Sequence, residues 1–515
     1  MLAIAAVSFI FLFIGAASQL GEIGGVIALV IAFVLTLVGM APAGDAVSYA
    51  LRYAWYLAVM PMALMAVFNL FLGLSPVRLL RDALRQRLVA AAGALDGRDE
   101  ALCELLRADH AALAQQAMFA SLLALVGKPA AAQIGRDVRA GYRLMLAAAA
   151  LPADSAHRES LAAAIGEAIA AIDAGRAPRC PDALPIGAGA AETEIVAALS
   201  ILAGAPEGEV VPAPKPAFFA ADALTNPDHQ RFALKTTAAA VICYVIYAGL
   251  DWQGIHTAMI TCYVAALGTT GETVHKLGLR IAGCLVGATM GAVAVLFVEP
   301  QLDSIGGLMA MVFAGVLVGA WVSTGRERIS YGGVQIALAF LLTVLQGFGP
   351  GTSLDSGWDR VVGILLGNLV VYLIFTRVWP VSVEGAARDH LRASLAALAR
   401  LAALPPERRA GGVADAALAG LEAGKAGELL ALMPYEPLAI RPAEATQAML
   451  CDVSEEIGAL TRDIYLNRMA LDGTATRLRH LAMRIAGAPQ RDDPAAIGGD
   501  DTFSHRLDRL QSAVG

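Results

Sequence analysis

Apolar residues dominate the stretch from Thr236 to Pro380, where charged residues are confined to a few short breaks and one end. A helix rises 1.5 Å per residue and needs about 20 residues to cross about 30 Å of hydrocarbon. Cutting at the breaks leaves six apolar runs near this length: Thr236–Leu250, Ile255–Thr270, Leu277–Val298, Ile305–Thr324, Ile329–Phe348 and Val361–Val378. The pattern predicts six membrane-spanning helices.

The N-terminal region adds three apolar runs, Met1–Leu20, Gly21–Met40 and Leu51–Leu74, the last interrupted by Pro61. Four arginines follow within residues 78–87, and such a cluster next to a span indicates the cytoplasmic side. Three spans before a cytoplasmic cluster place Met1 outside. This parity predicts that the N-terminal half is truncated in this chain.

The remaining segments combine alanine and leucine at helical spacing with frequent charges, which is typical of soluble amphipathic helices. The predicted fold is therefore all-α, a polytopic membrane helix bundle of three N-terminal and six C-terminal spans with two cytoplasmic helical regions. The predicted domains are residues 1–74 (partial membrane half), 75–228 (cytoplasmic helices and linker), 229–380 (six spans) and 381–515 (C-terminal cytoplasmic helices). The alanine-rich helices fit a homo-oligomer surface and a solvated packing role equally well.

Composition narrows the class of protein. Charged residues make up 16% of the 515 residues, below the roughly 25% of soluble domains. The net charge of −7 offers no basic excess for nucleic acid. The six cysteines occur singly, without metal-ligand spacing, and no catalytic signature has a usable context. We therefore expect no metal, no cofactor and no enzymatic activity.

Charge in the loops of the six-span stretch predicts its orientation. Alternate loops and span ends carry either bases or acids. The basic set is Lys276, Arg280, Arg326, Arg328 and Arg377, and the acidic set is Asp251, Glu299, Asp303, Asp355 and Asp359. Because positive residues stay on the cytoplasmic side, this separation predicts a cytoplasmic C-terminus.

Two related motifs begin with an arginine and continue with small residues four positions apart. Small residues at this spacing share one helix face and let another helix approach closely. The predicted packing glycines are Gly283, Gly287 and Gly291 after Arg280, and Gly363 and Gly367 after Arg360. Each arginine either extends its charge to the membrane interface or binds an anion inside the bundle.

Three further residues are candidates for ion coupling or substrate binding. His256 and Asp251 open the second apolar run, where a histidine could exchange protons near ambient pH, or where both side chains could simply anchor the interface. Glu272 lies in a predicted inner loop, where a gate and a helix cap are both possible.

Several segments together resemble the fusaric acid resistance (FUSC) family of inner-membrane proteins, and within it the multidrug-resistance and aromatic-acid exporters. The likeness is dense over residues 211–380. It rests on Asn226–Pro227, Lys235–Thr236, Asp251–Cys262, Gly319–Thr324, Glu327–Arg328, Ser330–Tyr331, Arg360 with Gly363 and Gly367, and Val378–Pro380. The family pattern is two six-span halves around a cytoplasmic helical domain, and this chain departs from it with three spans in its first half.

The resemblance implies an inner-membrane efflux component that exports drugs or weakly acidic aromatic compounds using the proton gradient. It also implies a periplasmic adaptor (a membrane fusion protein) and an outer-membrane channel as partners. Two other functions fit the same residues: a passive anion channel that uses the arginines, and a membrane scaffold that recruits cytoplasmic partners.

Overall fold

The structure is a computed structural model that describes residues 1–38, 44–122, 128–182, 188–212, 214, 217–345, 354–471, 473–485, 487 and 502–514. It is helical, as predicted. Within these ranges there is no β-strand, only an isolated bridge between Ser18 and Phe219.

From the N-terminus the helices are α1 Leu2–Ala17, α2 Glu22–Val38, α3 Gly44–Leu72, α4 Pro76–Leu95, α5 Glu100–Arg107, α6 His110–Leu122, α7 Lys128–Ala149, α8 Arg158–Asp173 and α9 Ala190–Leu202. They continue as α10 Pro227–Gly249, α11 Thr257–Ala265, α12 Thr270–Val293, α13 Ile305–Ser323, α14 Glu327–Val344 and α15 Asp355–Arg377. The last are α16 Val383–Ala402, α17 Pro406–Arg409, α18 Val413–Leu430, α19 Glu444–Leu466, α20 Thr474–Ile485 and α21 Thr502–Val514.

The chain divides into two compact units. The first, here called the apolar unit, contains residues 1–60, 216–383 and 432–441. The second, here called the polar unit, contains residues 61–215, 384–431 and 442–515. The C-terminal part of the chain thus contributes one short segment to the apolar unit, in which the Glu436 carboxylate accepts the backbone N–H of Val383 at 2.7 Å.

Four helical segments are long and apolar enough to cross a membrane: Pro227–Gly249, Thr270–Gln301, Ile305–Ser323 and Gly357–Arg377. A pair of helices bent by 69°, Val59–Leu72 and Pro76–Leu95, could form a fifth. Two shorter helical segments, Leu2–Ala17 and Glu22–Thr36, are also apolar. The structure therefore contains several apolar helices, and the total of nine spans stays a prediction.

The predicted span Ile255–Thr270 is not a continuous helix. Residues 253–256 form a 3-10 turn, α11 has 9 residues, and Ala266–Thr269 are non-helical. Nine helical residues rise only about 14 Å, less than half of a hydrocarbon core. A hydropathy average over this run does not register the break, because the polar residues beside it, Thr269 and Glu272, lie at and just beyond the end of the run.

The core of the apolar unit lies between α1, α2, α10, α11 and α15. Leu12, Ala28, Ala239, Cys262 and Phe375 are among its buried side chains. A hydrogen bond of 2.6 Å joins the buried Ser8 hydroxyl on α1 to the Tyr263 hydroxyl on α11. The N-terminal helix pair and the later helices therefore share a single core.

Small residues set the closest approaches between helices of this unit. A Cβ added at Gly287 on α12 would overlap the Ile336 carbonyl oxygen of α14, and one at Gly291 would lie 2.6 Å from Thr343 Cβ. On α15, a Cβ at Gly367 would lie 2.6 Å from the Ala258 carbonyl oxygen of α11. Gly283 has equally close neighbours on α14, and Gly363 on the segment 255–257. Side chains at these positions would separate the helices.

The polar unit contains buried ion pairs within its helical core. Arg143 on α7 donates to the Glu194 carboxylate on α9 at 2.7 Å, and the Tyr465 hydroxyl on α19 donates to the same carboxylate at 3.0 Å. All three side chains are buried. A buried charge needs such a partner, so this network fixes α7, α9 and α19 relative to each other.

We expect Gly287→Ala to lower the stability of the apolar unit by about 1–3 kcal/mol, because overpacking forces two backbones apart. Gly278→Ala is the matched control on the same helix, since an added Cβ there meets nothing within 4 Å. It should be neutral, or stabilising by up to about 1 kcal/mol, because alanine favours helix. The midpoint of thermal unfolding in detergent, followed by size-exclusion chromatography, measures both. Equal midpoints for the two variants would contradict the packing role of Gly287.

Candidate functional site

The interruption between α11 and α12 brings several polar groups into the apolar unit. Backbone groups at Ala266–Thr269 lack helical partners, and in an apolar surrounding each unsatisfied group costs several kcal/mol. Most of this stretch is buried or half-buried, with Gly268 exposed. Side chains from the first turn of α12 supply the missing bonds.

Glu272 and Thr269 form a reciprocal cap at the start of α12. The Glu272 carboxylate accepts the Thr269 N–H at 3.1 Å and the Thr269 hydroxyl at 2.6 Å. In return, the Thr269 hydroxyl oxygen accepts the Glu272 N–H at 3.3 Å. Such a capping box satisfies two free N–H groups, and the acid also complements the positive end of the helix. Glu272 therefore lies at a helix N-terminus, where a loop was expected.

Thr273 closes the interruption from the next position. Its side chain is fully buried, and its hydroxyl oxygen accepts the Leu267 N–H at 3.1 Å. The same hydroxyl donates to the Thr269 carbonyl at 2.8 Å. One threonine thus holds the non-helical stretch against α12. Composition did not single out this residue, although the sequence Thr269-Thr-Gly-Glu272 carries the spacing of a capping box.

Arg280 lies about two turns beyond Thr273 on α12 and is 3% exposed. Its Nη1 donates to the Tyr331 hydroxyl on α14 at 2.8 Å, and its buried Nε has no partner. Among the described residues no carboxylate lies within 4.0 Å of the guanidinium. The sequence predicted the cation but not its burial, because Tyr331 is 51 positions away along the chain.

The nearest fixed charges lie toward the start of α12. Lys276 Nζ lies 5.2 Å from the centre of the Tyr331 ring and 3.6 Å from a carboxylate oxygen of Glu22. Tyr331 therefore lies between two cations, Arg280 and Lys276, and only the lysine has an acidic partner. Arg280 is therefore the cation of this group whose charge has no acidic partner among the described residues.

Asn368 is a second buried polar group without partners. It is 3% exposed, and neither its amide nitrogen nor its oxygen has a hydrogen bond to a residue that the structure describes. α12 and α15 run antiparallel, since the Thr270 hydroxyl donates to the Phe375 carbonyl and Cys284 packs with Ile364. One turn before Cys284 is Arg280, and one turn after Ile364 is Asn368, so the two side chains lie at the same level.

The remaining predicted residues lie near the start of α15. Trp252 Nε1 donates to the Asp359 carboxylate at 2.9 Å, and the adjacent Asp251 is exposed with a φ of +52°. His256 Nδ1 lies 2.8 Å from the Gln253 carbonyl oxygen, and its ring packs 5.6 Å from that of Phe33. Arg360 is half-buried next to Asp359. The structure thus groups Asp251, His256 and Arg360 at one end of the unit and Glu272 at the other, with Arg280 between them.

Comparison with known proteins finds a family that this region resembles. Residues 240–374 match the family described as fusaric acid resistance protein-like. The predicted resemblance is therefore confirmed for this segment, which contains Arg280, Tyr331, Arg360 and Asn368.

Two kinds of curated relative share sequence with the chain. Multidrug resistance protein MdtO of Escherichia coli K12 is 40% identical over 204 residues, which are 39% of this chain and 30% of that protein. The MdtO protein of Shigella flexneri is 39% identical over the same length. Inner membrane protein YccS of E. coli K12 is 25% identical over 158 residues, 30% of this chain and 21% of that protein. The matched region thus spans less than a third of each relative's length.

We expect Thr273→Val to destabilise the apolar unit by about 1–3 kcal/mol, because it removes the partner of a buried backbone N–H. Thr289→Val is the matched control on α12, since the exposed Thr289 hydroxyl bonds only the Leu285 carbonyl of its own helix. Thermal unfolding in detergent compares the two proteins. If Thr273→Val melts with the wild type, the threonine does not hold the interruption.

Proposed function

We propose that the chain is part of an inner-membrane efflux transporter that exports drugs or weakly acidic aromatic compounds. The observation that carries this proposal is the buried guanidinium of Arg280, which among the described residues has one hydrogen bond and no acidic partner. Support also comes from the family match, from the identity to multidrug resistance proteins and from the inner-membrane relative YccS.

An unpaired buried cation is costly, and it persists where function needs it. A carboxylate entering beside Arg280 would form charge-assisted hydrogen bonds, which are about twice as strong as neutral ones. The Asn368 amide, which is also free to donate, could hold a second oxygen. The surrounding apolar helices would then contact an aromatic ring. This chemistry selects an aromatic acid over an aromatic cation.

The proposed topology has nine spans and a cytoplasmic C-terminus, with the polar unit from residue 75 onward in the cytoplasm. Its support is the separation of basic and acidic loops in the sequence. In this topology α11 and the interruption after it form one broken span beside the Arg280 site. Broken helices beside a binding site are common in secondary transporters.

Coupling to the proton gradient is also proposed, and Glu272 is the best-placed group for it. Protonation of its carboxylate would weaken both bonds to Thr269 and loosen the interruption between α11 and α12. Asp251 and His256, near the other end of the apolar unit, are the candidates for proton uptake outside. A periplasmic adaptor and an outer-membrane channel complete the proposed export path.

Export of radiolabelled benzoate from an efflux-deficient strain tests the role of Arg280. We expect Arg280→Gln to reduce export by about tenfold or more, because a neutral amide loses the charge-assisted bond. The matched control is Arg326→Gln, an exposed arginine in the loop before α14. Both variants are compared at equal amounts in the membrane. Wild-type export by Arg280→Gln would contradict the proposed site.

An uncoupler separates a pump from a passive anion channel in the same cells. Export against a benzoate gradient should collapse when the proton gradient is removed. Movement of benzoate only down its gradient, unaffected by the uncoupler, would favour the channel.

A further inference from the structure

A cavity of about 280 Å³ lies within the polar unit, far in sequence from the transport site. α4 and α7 form its walls, and the C-terminal ends of α8 and α9 close it. Apolar side chains from all four helices cover most of its surface, among them Leu80, Leu84, Ile134, Val138, Ile172 and Leu202. A cavity of this size is near the lower limit for small-molecule sites.

One carboxylate, that of Asp137 on α7, lies in this apolar wall. It is half-buried and accepts a hydrogen bond of 2.6 Å from Gln133 Nε2. Gln133 is held in turn by Arg136, which donates to its amide oxygen. No other side chain described in the structure donates to Asp137, so its carboxylate keeps several lone pairs that can accept hydrogen bonds from a ligand.

The C-termini of two helices beside the cavity also favour a positively charged ligand. α8 ends at Asp173 and α9 at Leu202, and Gly175 and Gly204, with φ of +69° and +100°, turn the chain beside the cavity. The C-terminus of a helix carries about half a negative charge. The carboxylate and both helix ends therefore favour a cation.

We propose that this cavity binds small amphipathic organic cations, with an ammonium group on Asp137 and an apolar body on the wall of α4 and α7. The proposal does not depend on the transport site or on the direction of transport. It assigns the polar unit a ligand opposite in charge to the one proposed for Arg280.

Most other charged groups near the cavity are either exposed or paired. Arg81 on α4 and Arg176 after α8 are exposed at its rim, where solvent screens them. Arg85 pairs with Asp173 at 2.6 Å, and Arg139 pairs with Glu207 at 2.6 Å. Arg136, next to Asp137 in the sequence, is half-buried and donates to the Gln133 amide oxygen.

Burial raises the pKa of Asp137 to about 6, against the lowering effects of the Gln133 hydrogen bond and the Arg136 charge. A cationic ligand prefers the ionised carboxylate. The affinity of the cationic ligand should therefore be highest well above pH 6 and should decrease as the pH falls through that value. Between pH 7.5 and pH 5 the loss should be about tenfold.

Isothermal titration calorimetry on the full chain in detergent tests the proposal with three probes. They are 2-phenylethylammonium, the neutral 2-phenylethanol and the anionic 3-phenylpropanoate. The ammonium should bind best at pH 7.5, and Asp137→Asn should weaken it by about tenfold or more while leaving the alcohol unchanged. Glu159→Gln, at an exposed acid of α8, is the control and should bind like the wild type.

A second variant tests the cavity itself. Ala203→Phe places a ring at the end of α9, where Ala203 lines the cavity, and should abolish binding of both the ammonium and the alcohol. Unchanged binding by folded Asp137→Asn, or tighter binding of 3-phenylpropanoate, would overturn the proposal. Arg280→Gln should bind the ammonium normally, so failure of the transport proposal and failure of this one give different results.

Discussion

Backbone groups at the interruption between α11 and α12 must find partners inside the protein, and the apolar unit depends on this constraint. Lipid offers no hydrogen bonds, so an interruption is tolerated only where side chains satisfy it. Thr269, Glu272 and Thr273 do so within one helical turn. Because these residues also start α12, they fix where that helix begins.

The position of that start determines what α12 presents to its neighbours. Three turns on, Arg280 meets Tyr331, and the glycines beyond it face α14. A shift of one residue would rotate the helix by about 100° and move both sets of contacts off their partners. The capping residues, the glycine stripe and the buried arginine are thus consequences of a single helix register. A substitution at Glu272 that shifts the start of α12 would therefore also move Arg280, because both residues lie on the same helix.

The sequence predicted the apolar helices well, because composition over 20 residues decides whether a segment can be apolar. It missed the interruption because a hydropathy window averages over the four non-helical residues near the end of the mostly apolar run Ile255–Thr270. The signal was local: Gly268, then Thr269 with Glu272 three positions later. The burial of Arg280 could not be predicted, since it depends on a tyrosine that only the fold brings close. The same holds for the cavity in the polar unit, whose walls come from four separate helices.

Buried arginines of the two units differ in the hydrogen-bond partners of their guanidinium groups, and Arg280 has neither a carboxylate nor several acceptors among the described residues. In the polar unit Arg143 has a carboxylate, Arg477 donates to Asp508 and Gln511, and Arg409 donates to three backbone carbonyls. The partners of each of these arginines belong to the fold itself, so each arginine has a structural role. Arg280 donates once, to a neutral phenol, among the residues that the structure describes. A guanidinium has five N–H donors, and under the proposed function an anionic substrate would supply further acceptors to Arg280.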